Sequence, residues 1–254
     1  MFSLILFELK SYLSNRMAMF WTVAYPIAML AFLVVIFDPG IPVASFTESY
    51  RFQTTIGLVS LTIASTALFG MGQAMSDMRT HRALIPYLFV PLSLFSVVSA
   101  ILISRIIVIF GFSVVFIVCS FAVLGIAVLG INVHPDPKVM LQVCVAILVT
   151  SLFCFALVLP LIAASKNATT IISLANVFNI YALMSSGVFI PLSAMPEWST
   201  KFITTSPFYH LNAGLQSAFV PTTSAKFWMI HISLAAIGVA IVYFSSHRRV
   251  MVPA

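Results

Sequence analysis

Five histidines, three cysteines and six carboxylates are the side chains of this 254-residue chain that could ligate a metal or move a proton. His81, His134, His210, His231 and His247 stand apart from other ligand types, whereas a metal site needs three or four such groups converging. A lone histidine near a surface is ordinarily solvated or hydrogen-bonded. Cys119, Cys144 and Cys154 lie in apolar runs and read as packing residues rather than a disulfide framework. Neither H-E-x-x-H, G-x-S-x-G nor G-x-x-x-x-G-K-[ST] occurs, so hydrolytic chemistry and phosphate cradling both lack their local signature. No metal site, no catalytic residue and no cofactor is expected in the chain itself.

What does recur at helical spacing is neutral polarity. Thr169, Thr170, Ser173, Asn176, Asn179 and Ser186 mark one face of an apolar stretch, and Thr62, Ser65, Thr66, Gly72 and Gln73 mark another. Amides in hydrocarbon are costly unless they face protein or water. Such faces are either interhelical glue, worth about 0.6–2 kcal/mol per bond, or the lining of a dimer seam or substrate path. Asn167-Ala168-Thr169 matches a glycosylation sequon, but the order of the spans places it in a cytoplasmic turn.

These side chains must be positioned by membrane helices. The chain is 61% apolar and 7% charged, with a mean hydropathy of +1.14, whereas a soluble domain carries about 25% charge. So few charges cannot cover a water-soluble surface, and a disordered chain would be charge-rich and apolar-poor. The +6 net charge comes from scattered residues rather than a basic stripe, which argues against nucleic acid as partner. The partner is a lipid bilayer.

A helix crosses the hydrocarbon with about 20 apolar residues, because only a helix satisfies its own backbone there. The apolar pattern predicts spans at about 18–37, 54–75, 139–163, 169–190 and 227–245. The run from Ala83 to Ile131 has Arg105 as its only charge and could hold one span or two. With one, near 106–129, Lys10, Arg16, Arg79, Arg82, Arg105, Lys166, Arg248 and Arg249 share a side with both termini. Arg51, Lys138, Lys201 and Lys226 then lie opposite. Eight basic residues against four make both termini cytoplasmic by the positive-inside rule. Arg105 is then expected at the inner end of the third span, with its guanidinium snorkelling to water. All six carboxylates fall outside these spans, so an ion-coupled carrier, which buries titratable groups in the bilayer, is disfavoured. The expectation is an all-α membrane protein of six transmembrane helices in a single domain, 1–254.

Residues 2–15 precede the first span. Phe2, Ile5, Leu6, Leu9, Tyr12 and Leu13 recur at helical spacing, predicting an amphipathic helix in the headgroup plane rather than a cleaved signal peptide. Ser76-Asp77-Met78-Arg79-Thr80-His81-Arg82 is the one substantial polar loop on the cytoplasmic side, and Pro86 and Pro91 interrupt the stretch C-terminal to it. Between Pro191 and Lys226, apolar groups such as Pro196-Glu197-Trp198 and Pro207-Phe208-Tyr209 are too short for a span and return. They suit either two short helices dipping back into the outer leaflet or an outer lid.

This order resembles the membrane subunits of type-2 ATP-binding-cassette (ABC) exporters, the superfamily of bacterial drug, polysaccharide and natural-product permeases. The elements are a surface helix with Glu8, Lys10 and Arg16, a Trp21…Pro26 opening, a loop carrying Arg79 and Arg82 that ends in Pro91-Leu92-Ser93, and Met195-Pro196-Glu197-Trp198…Ser206-Pro207-Phe208 before the last span. The resemblance covers essentially the whole chain. It implies that Ser76–Leu84 is a coupling helix seated on a separate ATPase subunit, which would hold ATP and Mg. Asp77, Arg79, His81 and Arg82 would make that contact, with Glu8 and Lys10 of the N-terminal helix making a second. It implies that 192–215 forms re-entrant outer helices marked by Pro196, Trp198, Pro207 and Tyr209. It further implies that Thr62, Ser65, Thr66, Gln73, Ser173, Asn176, Asn179 and Ser186 flank a translocation path at a homodimer or paired-permease seam. Where many relatives carry a Gly-Thr-Leu-Glu-like element, this chain has Arg82-Ala83-Leu84-Ile85-Pro86. The function so implied is ATP-driven export of an amphipathic or hydrophobic compound across the inner, cytoplasmic membrane. A polysaccharide is the alternative cargo, and a non-transporting membrane scaffold the alternative function.

Overall fold

The computed structural model describes residues 2–37, 50–72, 74, 94–124, 137–164, 168–188 and 195–219, with isolated positions at 229, 233, 236, 237 and 240. The segment 76–84 expected to be a coupling helix, Gln73 and nearly all of the expected span at 227–245 lie outside the described residues. Within them the chain is helical, without a strand. The helices are α1 (Phe2–Ser14), α2 (Arg16–Met19), α3 (Tyr25–Phe37), α4 (Tyr50–Ser65), α5 (Leu94–Leu124), α6 (Pro137–Ala164), α7 (Ala168–Ser185), α8 (Glu197–Thr204) and α9 (Pro207–Ser217). Two π-helical turns interrupt the series, Phe20–Ala24 between α2 and α3 and Thr66–Met71 after α4.

Three of these helices are long and apolar enough to cross a membrane: Phe52–Gly70, Val97–Ser120 and Pro137–Val158. Phe20–Leu33 and Thr169–Ser185 are shorter apolar helices. The Phe52–Gly70 segment is 89% buried within the protein, against 39% for Val97–Ser120. It is therefore the central post, and it can be the least apolar of the three because its side chains meet other helices rather than lipid. Lipid exerts no hydrophobic drive between helices, so small residues and hydroxyls that allow close approach take that role. Gly57, Ser60, Thr62, Ser65 and Thr66 supply them here. The post packs on α3, α5, α6, α7 and α9, and Ile56, Leu58, Val59, Ile63, Ile101, Ile147 and Phe155 fill the space between. Peripheral helices turn Val115, Val118, Leu141, Val177 and Met184 outward.

Local sequence explains the breaks. Asn15 separates α1 from α2, its side chain accepting from the Ala18 N–H at 3.1 Å as an N-cap. Pro26 cannot donate to the ladder, and the π turn just before it absorbs the fault, the Tyr25 N–H reaching the Phe20 carbonyl. Gly187 adopts φ +68°, a left-handed conformation that suits glycine, and ends α7. Ser206 caps α9, accepting from the Phe208 N–H, with Pro207 in the first turn.

The third span corrects the sequence expectation. The charge pattern puts it near 106–129 with Arg105 at its inner end, yet α5 begins at Leu94 and Arg105 lies within the apolar stretch Val97–Ser120. Its guanidinium does not snorkel outward: the residue is 4% exposed. The charge is tolerated there because protein, not lipid, surrounds it.

Candidate functional site

The described residues hold a buried polar cluster where α1, both π turns and α5 meet. Arg105 donates through Nη1 to the Glu8 backbone carbonyl at 3.2 Å and to Ser104 Oγ at 3.3 Å. Its Nη2 lies 3.5 Å from Glu8 Oε2, and its guanidinium carbon sits 4.2 Å over the Tyr12 ring. Glu8 and Tyr12 are one turn apart, so a single face of α1 presents both. That face is the one turned inward, while Phe2, Leu6, Phe7 and Leu13 point away from the protein. Burial raises the Glu8 carboxyl above its ordinary value, and the charge of Arg105 opposes the rise.

From Tyr12 the network continues inward. The Tyr12 hydroxyl lies 2.7 Å from Thr22 Oγ1, and Thr22 Oγ1 lies 3.3 Å from Thr66 Oγ1. Thr22 belongs to the first π turn and Thr66 opens the second, so one hydroxyl chain joins the two irregular turns. Trp21 stacks on Phe69 beside it, ring centroids 5.8 Å apart. Gly70 closes the cluster: a Cβ there would stand 3.2 Å from Tyr12 and 3.5 Å from the Arg105 side chain. Arg105 Nε has no hydrogen-bond partner and faces that same gap.

A second polar region lies where α7, α8 and α9 meet. Ser206 Oγ donates to Ser185 Oγ at 2.8 Å, and the Asn212 amide donates to the Ser186 carbonyl at 3.1 Å. Tyr181 meets Phe202 and Phe208 edge-on, and Tyr209 and Ile203 pack against Gly187. Two short helices are thus tied to the end of α7. Of the residues expected to mark them, Pro207 and Tyr209 are half-buried in the joint, and Pro196 and Trp198 are exposed.

The residues read as two polar faces separate into four settings. Ser65 Oγ donates to Asn179 Oδ1 at 2.7 Å, which joins α4 to α7. Thr66 turns the other way, to Thr22. Thr62 donates back to the Leu58 carbonyl, and Ser186 to that of Leu183. Ser173 and Asn176, with Thr169 and Thr170, are exposed along α7. Replacing Asn179 with Leu is expected to lower stability by about 0.6–2 kcal/mol, the worth of one interhelical bond, read as a drop in the unfolding midpoint of the purified protein.

Glu8 and Lys10, expected together on a contact to a soluble partner, point in different directions. Lys10 is exposed, whereas Glu8 is 7% exposed and engaged with Arg105. The protein therefore buries a charged pair, Glu8 on α1 and Arg105 on α5. Arginine stays protonated in proteins, so Arg105 presents a fixed positive charge to Glu8. Sequence reasoning also passed over Thr22, Ser185 and Asn212. For Thr22 a signal was available in its place four residues before Pro26, where a freed carbonyl attracts hydroxyls. Asp77, Arg79, His81, Arg82 and Gln73 lie outside the described residues.

Compared with known proteins, residues 1–220 match a family model described as ABC-2 type transporter. The matched range includes every helix from α1 to α9. No curated protein matches the sequence.

Proposed function

The chain belongs to the ABC-2 type transporter family, and we propose that it is the permease of an exporter driven by a separate ATPase subunit. Membership makes it a membrane protein and the transmembrane component of a transporter, one that pairs with an ATP-binding subunit, rather than a catalyst. The observation that carries the reading is this match across residues 1–220. In the proposed complex ATP and Mg sit on the partner, and both termini of this chain face the cytoplasm of the cell that carries it in its inner membrane. Asp77, Arg79, His81 and Arg82 form the coupling contact, and the exposed Lys10 adds to it from α1.

The cargo proposed is an amphipathic or hydrophobic compound, whether drug, natural product or lipid-like molecule. Twenty-three phenylalanines and 12 methionines suit an adaptable apolar path, although lipid-facing surface accounts for most of them. A polysaccharide path would favour more polar lining. The exposed Ser173 and Asn176 are costly against lipid, which supports a second permease copy or a paired permease covering that side of α7. ATP binding would bias a rocking of this pair between inward- and outward-open states.

The test is co-purification with an ATP-binding-cassette ATPase encoded beside this chain, followed by nucleotide hydrolysis of the complex in lipid nanodiscs. Arg79→Glu with Arg82→Glu is expected to abolish association or to drop stimulated hydrolysis by at least tenfold, about 1.4 kcal/mol of coupling, while membrane insertion persists. Hydrolysis indifferent to the double reversal would favour the scaffold.

A further inference from the structure

The Glu8–Arg105–Tyr12 cluster does more than neutralise a charge. A guanidinium needing only a counter-charge could have been met by one carboxylate. Arg105 instead takes the side chain of Glu8 at 3.5 Å, the backbone carbonyl of Glu8 at 3.2 Å and the ring of Tyr12 at 4.2 Å. Three contacts of different geometry on one helix determine the axial position and rotation of α1 against α5. Tyr12 then fixes Thr22 at 2.7 Å, and Thr22 meets Thr66 at 3.3 Å. Both threonines sit in π turns, where the regular hydrogen-bond ladder is interrupted and a helix bends most readily. Gly70 lets the second of these turns lie directly against Tyr12 and Arg105, with no side chain between.

We propose that Arg105 is a positioning residue of the transport cycle, a latch through which displacement of the N-terminal helix sets the bend of the first two membrane segments at their paired π turns. The proposal rests on the permease reading for the origin of that displacement, a motor closing beneath α1. It adds that the force reaches the bundle through a non-covalent contact near the N-terminus as well as through the proposed coupling segment 76–84. The latch works because the elements are rigid on either side of two weak points, so a shift of α1 is taken up at the π turns rather than spread along the helices.

The experiment uses the full chain in nanodiscs, with amide hydrogen exchange at the two π turns, residues 20–24 and 66–71, giving the rate at which each turn opens. Three backgrounds are compared: the parent, Arg105→Lys, and Glu8→Leu with Arg105→Met, which removes the pair as a unit and keeps the fold neutral and packed. The latch predicts that the rate changes by roughly tenfold in the double variant, the middle of the range for coupled neighbours. Arg105→Lys, keeping the charge but losing the planar fork, falls between. With the ATPase subunit bound, nucleotide is expected to alter the rate in the parent and not in the double variant, a difference that mere structural support would not produce. Equal rates in parent and double variant, or a nucleotide response that survives loss of the pair, overturn the proposal. Failure of the chain to bind any ATPase counts against the permease reading alone, since the comparison without nucleotide still judges the latch.

Discussion

Replacing Arg105 alone with Met is expected to destabilise the protein by about 3–5 kcal/mol, the cost of leaving one member of a buried pair without its partner. Glu8 is the member left behind, 7% exposed on a helix face turned into the protein. The same substitution removes the cation over Tyr12, worth about 2 kcal/mol where desolvated, although that contribution overlaps with the first. The loss has a signature in pH. Burial already holds the Glu8 carboxyl above its ordinary 4.5, with Arg105 pulling against it. Without Arg105 only the upward push remains, so the folded state favours the protonated acid more strongly. A group whose folded value lies above its unfolded one contributes stability below the unfolded value and loses it as pH rises through the folded one. The unfolding midpoint of Arg105→Met is therefore expected to approach that of the parent in acid and to fall away from it towards neutral pH. Adding Glu8→Leu is expected to restore most of the stability and to erase this pH dependence, since a buried pair replaced by apolar groups is commonly neutral or stabilising. A single variant as stable as the parent at pH 7 would mean that Glu8 escapes to water when its partner leaves.

Arg105 also shows where the sequence is readable and where it is not. The helical class and the apolar segments follow from composition and from runs of about 20 residues, since the bilayer imposes both. The face of α1 that carries Glu8 and Tyr12 can be read from their spacing, but not the direction in which that face points. An interfacial helix is expected to turn its polar side to water, and this one turns Glu8 inward because a buried guanidinium waits on α5. The same guanidinium misplaced the start of the third span: a charge in an apolar run marks a membrane boundary only if nothing inside the protein can neutralise it. Hydroxyl and amide periodicity identified α4 and α7 as polar-faced. It could not show that Ser65 turns to Asn179 and Thr66, one residue on, to Thr22. That division follows from helix geometry, since side chains on successive residues point about 100° apart and so meet different neighbours. Gly57 gave no warning in sequence, because a glycine in an apolar helix reads alike whether a neighbour presses on it or not.

Gly57→Ala carries the second large effect. A Cβ on residue 57 would stand 2.6 Å and 2.8 Å from the two Cγ atoms of Val188 and 3.1 Å from its Cβ. A long flexible side chain could swing away, but valine is branched at Cβ and nearly fixed in χ1, and Val188 is itself buried. The strain must pass to the backbone, either to α4, whose segment is the most enclosed of the three membrane-length helices among the described residues, or to the turn just past Gly187. That turn already holds its left-handed conformation against Tyr209 and Ile203, so it has little freedom to retreat. Overpacking of this kind costs about 1–3 kcal/mol, and Gly57→Leu is expected to exceed it and to prevent recovery of folded protein from membranes. The discriminating measurement is the combination with Val188→Ala. If the clash is the cause, the second substitution restores the unfolding midpoint of Gly57→Ala to near that of Val188→Ala alone, a strongly non-additive pair. If glycine is needed at 57 for backbone freedom instead, the two losses simply add. The site lies where α4 meets the end of α7 on which α8 and α9 rest, so a displaced Val188 would also disturb the Ser185–Ser206 and Asn212–Ser186 hydrogen bonds. Faster amide exchange confined to α8 and α9 in Gly57→Ala, with α1 and α5 unchanged, would place the strain at that joint rather than throughout the bundle.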